Sequence, residues 1–514
     1  MQAIMVVGTT SNAGKSLICA ALCRLYHRQG WKVTPFKGQN MALNSYVVKM
    51  EGEETGGEIG YAQAVQAWAA QVEPSVEMNP ILLKPQGDMT SQVIFLGKAV
   101  GVTQASEYYQ NYFDRGWECI QASLAKLADR FDLVICEGAG SPAEINLKHR
   151  DLTNMRVAMH LNAATILVVS IDLGGAFAHV VGTLQLLTPE ERSQIKGIVI
   201  NKFRGQRSLL QSGIDWLEEY TGIPVIGVIP YLDIAFPAED SVSLFERRSR
   251  LSPTDLSISV LRLPRISNFT DFDPLIAEST VDLRFVPLNQ ALGNPDAVIL
   301  PGSKTTIADL IALQESGMAD QLRDYWQGGG TILGICGGLQ MLGQGIADPE
   351  GREGKSGSYA GLGLLPITTT ITDTKILRQR QALSICSLFG KELDREFERE
   401  FGQSRFEIAG YEIHQGISRI LPEQENQISE LFDDPELGMV TTDGRVWGTY
   451  LHGLFDSGKW RRHWLNQLRH KRGISPLPID TLDYQQQRDR IFDQLADAIA
   501  PHLDLSKLLI TKQT

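Results

Sequence analysis

This chain has few cysteines, and those it has follow no pattern. The six, at positions 19, 23, 119, 136, 336 and 386, show neither the paired spacing of a zinc site nor the density of a disulfide-stapled secreted domain. A reducing, cytoplasmic setting is expected. Positive charge is also scarce. The 48 Lys and Arg residues stand against 60 Asp and Glu, a formal net charge of −12, and no basic stripe is available to neutralise phosphates over a large surface. That argues against a nonspecific nucleic-acid binder while leaving a nucleotide pocket open. No apolar run is long enough to span a bilayer, and the N-terminus lacks a basic segment followed by an apolar one, so no membrane partner is expected. Tandem repeats and low-complexity tracts are missing too, and with them solenoid and linker-array architectures.

What is present is length and alternation. A chain of 514 residues is too long for one hydrophobic core. From residue 1 to about 235, β-type apolar runs alternate with helical stretches: Met5–Val7, Leu133–Cys136, Ala164–Ser170, Gly197–Ile200 and Val225–Val228 are the expected strands. Apolar periodicity lapses over 236–256, which reads as a linker. Strands resume at Leu256–Leu263, Val281–Val286, Ala297–Leu300 and Thr331–Ile335, giving a second α/β domain over 257–460. In the remaining 461–514, expected as a helical tail, Ile491, Phe492, Leu495, Ala496 and Ile499 recur at helical spacing. The fold class is α/β, with two doubly wound domains.

In the second domain, Gly334-Ile335-Cys336-Gly337-Gly338 directly follows the apolar run Thr331–Leu333. A reactive side chain on a sharp strand-to-helix turn needs small neighbours, and Cys336 has glycine close on both sides. The helical spacing of Leu339–Gly343 puts it at a helix N-terminus, where the dipole favours a thiolate. A cysteine nucleophile needs oxyanion donors and a base. The N–H of Gly337 and the flexible Gly302, in Leu300-Pro301-Gly302-Ser303-Lys304, are the expected donors. Two histidines compete as base, His414 and His452, each after a short apolar strand and before a glycine. His452 is favoured, with His414 lining the pocket or bonding structurally.

In the first domain the strand Met5–Val7 runs into Gly8-Thr9-Thr10-Ser11-Asn12-Ala13-Gly14-Lys15-Ser16 and then a helical run. This is a phosphate-binding loop: backbone N–H groups around Gly14 and the helix N-terminus cradle anions, Lys15 reaches the β/γ-phosphates, and the Ser16 hydroxyl can ligate Mg2+. Five residues separate Gly8 from Gly14 where the common signature has four, so the loop is a variant. Glu137 in Val134–Gly140 is the expected acidic metal ligand, and Asp172 presents itself in the same way after Ala164–Ser170. Lys37, beside Gln39, Asn40 and Asn44, could clamp developing phosphate charge.

The Cys336 and His452 motifs resemble class I glutamine amidotransferases, in which the cysteine forms a γ-glutamyl thioester. Most of that superfamily carries a glutamate two residues after the histidine; here Leu454 stands in that place. The departure matches the branch containing cobyric acid and cobyrinic acid diamide synthases, and leaves Asp456 or Glu412 to orient His452. The long phosphate loop resembles that of dethiobiotin synthetase, where ATP activates a carboxylate; that resemblance makes Asn201 an adenine contact and Lys37 and Asn40 residues of the acyl phosphate site. The segments Lys37–Ser45, Asn79–Pro85, Glu137–Leu147 and Gly410–His414 resemble the cobyric acid synthase family, and the likeness extends from residue 1 to about 460. It implies ATP- and glutamine-dependent amidation of the b, d, e and g carboxylates of the corrinoid adenosylcobyrinic acid a,c-diamide. Glu58, Gln63, Lys84 and Gln92 are candidates for polar contacts to it, or ordinary surface residues. The alternatives are a cobyrinic acid a,c-diamide synthase or another glutamine-dependent carboxylate amidoligase. A P-loop partitioning ATPase fused to an inert module fits less well, because that class carries a lysine where this loop has Thr9 and Thr10.

Overall fold

The computed structural model describes residues 1–87, 89–234, 236–237, 254–385 and 405–508. Most of the expected linker, and Cys386, lie outside the described residues. The chain forms two compact α/β units, and neither is one continuous stretch. The first comprises Met1–Ala42, Gly57–Glu239 and Arg488–Thr514; the second comprises Leu43–Gly56 and Asp240–Gln487.

The first unit is built on a six-stranded, all-parallel sheet in the order Val225–Pro230, Ile195–Phe203, Ala164–Ser170, Gln2–Gly8, Leu133–Glu137, Val33–Phe36. Strands of such a sheet are covered on both faces, which is why they read as unbroken apolar runs. Val7, Phe36, Val134, Leu167 and Ile198 share one core with Val180 and Leu217 from covering helices. The first strand lies in the middle of the sheet, and the chain later returns to pair on its other side. The loop leaving Gly8 therefore opens at the switch in strand order, where ligands gather in open α/β sheets. A smaller four-stranded sheet, Gln39–Met41, Ile81–Pro85, Thr90–Phe95 and Lys98–Gln104, completes this unit and is a feature the sequence periodicity did not announce.

Residues 461–514 do not form a single tail. The helix Gly458–Lys471 belongs to the second unit, where Trp460 and Trp464 pack edge-on against Trp447, and Arg461 pairs with Glu278 at 2.9 Å. From Arg488 onward the chain belongs to the first unit. Phe492, Leu495, Ala496 and Ile499 are fully buried there, Arg24 bonds Asp489 at 2.8 Å and lies over the Phe492 ring, and Arg28 bonds Asp497 at 2.6 Å.

The second unit has a seven-stranded sheet in the order Val281–Pro287, Leu256–Arg262, Ala297–Leu300, Ile332–Ile335, Val446–Thr449, Gly438–Thr441, Ile428–Glu430. The first five are mutually parallel, Gly438–Thr441 runs antiparallel to its neighbour Val446–Thr449, and Ile428–Glu430 is antiparallel to Gly438–Thr441 in turn. A second, five-stranded sheet contains the long antiparallel pair Ile367–Leu383 and Glu407–Ile420, followed by Leu451–His452. Val47, from the early segment, packs with Leu377, Tyr411 and Ile413 of this sheet.

Burial of the last helix makes its aromatic anchor a sensitive position. Phe492→Ala is expected to destabilise the first unit by about 3–5 kcal/mol, read as a lower urea midpoint for the transition that reports nucleotide-loop protection in hydrogen exchange.

Candidate active site

The strand Ile332–Ile335 pairs in parallel with Val446–Thr449, placing Ile335 opposite Thr449. Two side chains, Cys336 and His452, therefore emerge from the same ends of neighbouring strands. Cys336 sits at φ 52, ψ −108, a conformation that costs a non-glycine residue about 1–3 kcal/mol and persists only where its surroundings enforce it. They do so here. Cys336 N–H donates to Thr449 O at 2.8 Å, and a Cβ on Gly338 would stand 2.0 Å from Leu300 O. The helix Gly337–Leu342 follows at once, and Cys336, only 8% exposed, donates its thiol proton to Ile413 O at 3.3 Å.

His452 is buried, and its Nδ1 lies 2.7 Å from Asp271 Oδ2. The other Asp271 oxygen accepts the Gly453 N–H at 3.0 Å, so the carboxylate grips both the ring and the backbone beside it. The partner of His452 Nδ1 is thus Asp271 and not Glu412, one of the two acids considered from sequence. Glu412 instead pairs with Arg380 at 3.1 Å and with His414 Nε2 at 3.3 Å. Asp271 escaped the sequence reading because it lies 181 residues away. The signal available was an acid in a polar turn, Ser267–Asp271, soon after a strand of the same sheet.

Burial alone would push the His452 pKa down. The Asp271 carboxylate, its hydrogen bond and the Cys336 sulfur outweigh that and raise it from 6.5 to about 10. Among the described residues no hydrogen bond of normal geometry reaches the buried His452 Nε2, and the Cys336 sulfur is its partner for proton exchange. His414 has no such freedom: Nδ1 lies 3.1 Å from Gly416 O, and the ring stacks on Tyr450 at 3.7 Å.

The two expected oxyanion segments meet at this place. A Cβ on Gly337 would stand 3.0 Å from Ser303 N, and one on Gly302 would stand 3.5 Å from His452 Cε1. Asp309, whose carboxyl burial pushes up to about 6, accepts the Ser303 hydroxyl at 2.7 Å and steadies that loop. With a thiol, an imidazole and backbone donors around one point, the arrangement can perform acyl transfer through sulfur.

The first unit holds a separate cluster. Gly14 has φ 101, and a Cβ there would lie 2.1 Å from Asn201 Nδ2, which donates to Ala13 O at 2.9 Å. Asn201 thus braces the loop itself. Lys15 Nζ donates to Thr10 O and Gly140 O, each at 3.1 Å. The helix Lys15–Arg28 has no side-chain cap and no acid in its first turn, so its N-terminal N–H groups are suited to an anion. Glu137, 1% exposed, is the hub: its Oε1 accepts Ser16 Oγ at 2.9 Å and Lys37 Nζ at 3.0 Å, and its Oε2 accepts Gln66 Nε2. Ser16 and Glu137 present adjacent hard oxygens, a donor set that fits Mg2+, which uses one or two carboxylates plus phosphates rather than a protein cage. Asp172 is not part of this group; it lies in an exposed turn 3.5 Å from Arg204 Nε. Asn40 donates to Gln63 at 2.9 Å, and Lys84 and Glu58 form a buried pair at 2.6 Å.

Residues 4–242 match a family model described as the CobQ/CobB/MinD/ParA nucleotide binding domain, and residues 257–460 match the CobB/CobQ-like glutamine amidotransferase domain. The class is thus a nucleotide-binding unit and a glutamine amidotransferase unit on one chain. The cobyric acid synthase of Rippkaea orientalis is 62% identical over 509 residues, covering 98% of this chain and 99% of its own length. That of Synechocystis sp. is 63% identical over 509 residues, covering 99% and 98%, and that of Nostoc sp. is 62% identical over 510, covering 99% of each. The chain belongs to the cobyric acid synthase family.

The raised His452 pKa sets the sign of a pH effect. A group with a folded pKa near 10 and an unfolded value near 6.5 contributes stability that is fully present below the lower value and lost as pH rises through the upper one. Asp271→Asn removes the main stabiliser of the imidazolium. The stability gap between wild type and Asp271→Asn is therefore expected to be largest at about pH 6 and to narrow towards about pH 10, as checked by urea denaturation across that range.

Proposed function

We propose that this protein makes adenosylcobyric acid, amidating the b, d, e and g carboxylates of adenosylcobyrinic acid a,c-diamide with ammonia from glutamine and activation by ATP. The observation that carries the reading is the Cys336–His452–Asp271 alignment, on a chain that is alike to cobyric acid synthases over nearly its full length. Free thiols at Cys19, Cys23, Cys119, Cys136 and Cys336 support a cytoplasmic site of action.

In the second unit, Cys336 attacks the side-chain carbonyl of glutamine. The oxyanion is met by backbone N–H groups of Gly337 and the Gly302–Ser303 segment. His452, held as an imidazolium by Asp271, already carries the proton taken from the Cys336 thiol; it gives that proton to the leaving ammonia, then takes one from the water that cleaves the thioester to glutamate and leaves the Cys336 thiolate free again. Asp271 holds the ring in one tautomer throughout, as the third member of such triads does.

In the first unit, ATP phosphates lie along the loop around Gly14, with Lys15 on their charge. Ser16 and Glu137 would hold Mg2+, which supplies charge neutralisation at the phosphates. A substrate carboxylate oxygen attacks the γ-phosphorus, ADP leaves, and Lys37, beside Glu137 and three residues before Asn40, stabilises the acyl phosphate so formed. Ammonia attacks that carbonyl and phosphate leaves. Asn40 orients the substrate carboxylate in this scheme.

The test is direct. Purified protein is incubated with the corrinoid diamide, ATP, Mg2+ and either glutamine or ammonia, and products are followed by mass spectrometry. Successive amidations with either nitrogen source are expected for the wild type, and with ammonia alone for Cys336→Ala. Glutaminase activity without corrinoid amidation would remove the substrate assignment. Conversely, Glu137→Gln is expected to lower ammonia-dependent amidation by about 10²-fold or more, while glutamine hydrolysis in the same preparation stays within about threefold of wild type.

A further inference from the structure

The residues that hold Asp271 in place include two from the early segment of the chain, far outside the stretch that matches an amidotransferase model. Asn268 is left-handed at φ 52, and its carbonyl accepts the Asp271 N–H at 3.0 Å, making a tight turn that aims the Asp271 carboxylate. This turn is clasped reciprocally. Asn44 Oδ1 accepts the Phe269 N–H at 3.2 Å, and Asn268 Oδ1 accepts the Ser45 N–H at 3.0 Å. Asn44 is 1% exposed, Ser45 0% and Asn268 3%.

The same few residues reach His452 from its other side. Ser45 O accepts the Tyr411 hydroxyl at 3.2 Å, Tyr46 packs edge-on against Tyr411 at 5.0 Å, and Tyr411 stacks on the His452 ring at 5.2 Å and 16°. The turn also touches the oxyanion segment, since the Ser267 N–H donates to Gly302 O at 2.9 Å. Loosening the clasp would free the turn, and with it the partner of His452 Nδ1.

We infer that Asn44 and Ser45 are positioning residues for glutamine hydrolysis: they fix the Asn268–Asp271 turn and Tyr411, and through them the imidazole that serves Cys336. The match over 257–460 therefore does not contain the whole catalytic support. Chain connectivity adds a consequence, because Asn44 follows Lys37 and Asn40 in one short run of sequence. The residues assigned to the acyl phosphate and those supporting the glutaminase centre are thus near neighbours in sequence.

The inference rests on the reading of Cys336 and His452 as a glutaminase, so its test measures that first, in the full-length enzyme. Asn44→Leu keeps the branched side-chain shape and deletes the acceptor. The expected result is a fall in kcat for glutamine hydrolysis of about 10²-fold, the size of effect that a small misplacement of a reacting group produces, with KM for glutamine within about threefold. Asn44→Asp, which keeps an oxygen for the Phe269 N–H, should recover most of that loss. In the Asp271→Asn background, Asn44→Leu should cost less than about twofold more, since a residue acting through Asp271 has nothing left to position. Equal losses in glutamine hydrolysis and in ammonia-dependent amidation would overturn the inference, as would a fully additive loss on top of Asp271→Asn. Wild-type hydrolysis that is abolished by Cys336→Ala but untouched by Asn44→Leu would sink the inference alone; wild-type enzyme without Cys336-dependent hydrolysis would sink both it and the underlying reading.

Discussion

The second unit depends on a buried carboxylate that keeps a buried imidazole charged. Asp271 and His452 are both withdrawn from water, and either one alone would be expensive to hold there: breaking such a pair leaves an uncompensated group at a cost of about 3–5 kcal/mol. Much of the surrounding architecture follows from keeping the two in register. Adjacent parallel strands bring Cys336 and His452 to one edge, a left-handed asparagine bends the chain to deliver Asp271, and an aromatic ring covers the imidazole face. The strained backbone at Cys336 is tolerable because Thr449 and Leu300 leave it no roomier alternative.

The first unit solves a similar problem with one more partner. Glu137 is as buried as His452, and it is neutralised by Lys37 and hydrogen-bonded by Ser16 and Gln66. A carboxylate so thoroughly satisfied stays ordered before any phosphate arrives. The loop beside it is shaped by backbone requirements as much as by charge, since Asn201 occupies the space that any side chain at position 14 would need.

How much of this could be read from sequence depended on how local the cause was. Cys336, Gly337 and the Gly14–Ser16 loop were legible because turn geometry and phosphate binding demand small residues at fixed spacings within one strand–turn–helix unit. The strands of both parallel sheets were legible because doubly covered strands must be apolar throughout. Asp271 was not, because its partnership with His452 spans 181 positions and an acid in a polar turn has no local mark of burial. Nor was the allocation of residues 43–56 and 488–514, because nothing in a helix's own periodicity says which core it will join. The His414 environment was half legible: a histidine between glycines was expected to line the pocket or bond structurally, but the Tyr450 stack that occupies it depends on another strand.

The placement of the last helix bears on the order in which the protein can be made. Arg24 and Asp489, which bond each other, are 465 positions apart. A ribosome releasing the chain from its N-terminus therefore exposes the central parallel sheet long before the helix that seals part of it exists. The second unit, by contrast, has its early segment in hand from the start and lacks nothing once residue 487 has emerged. Domains generally fold as units during synthesis, N-terminal first; here the sequence-first unit is the last to be completed, and its open face must be kept from aggregating between the emergence of its last strand, Val225–Pro230, and that of the helix Tyr484–Ile499.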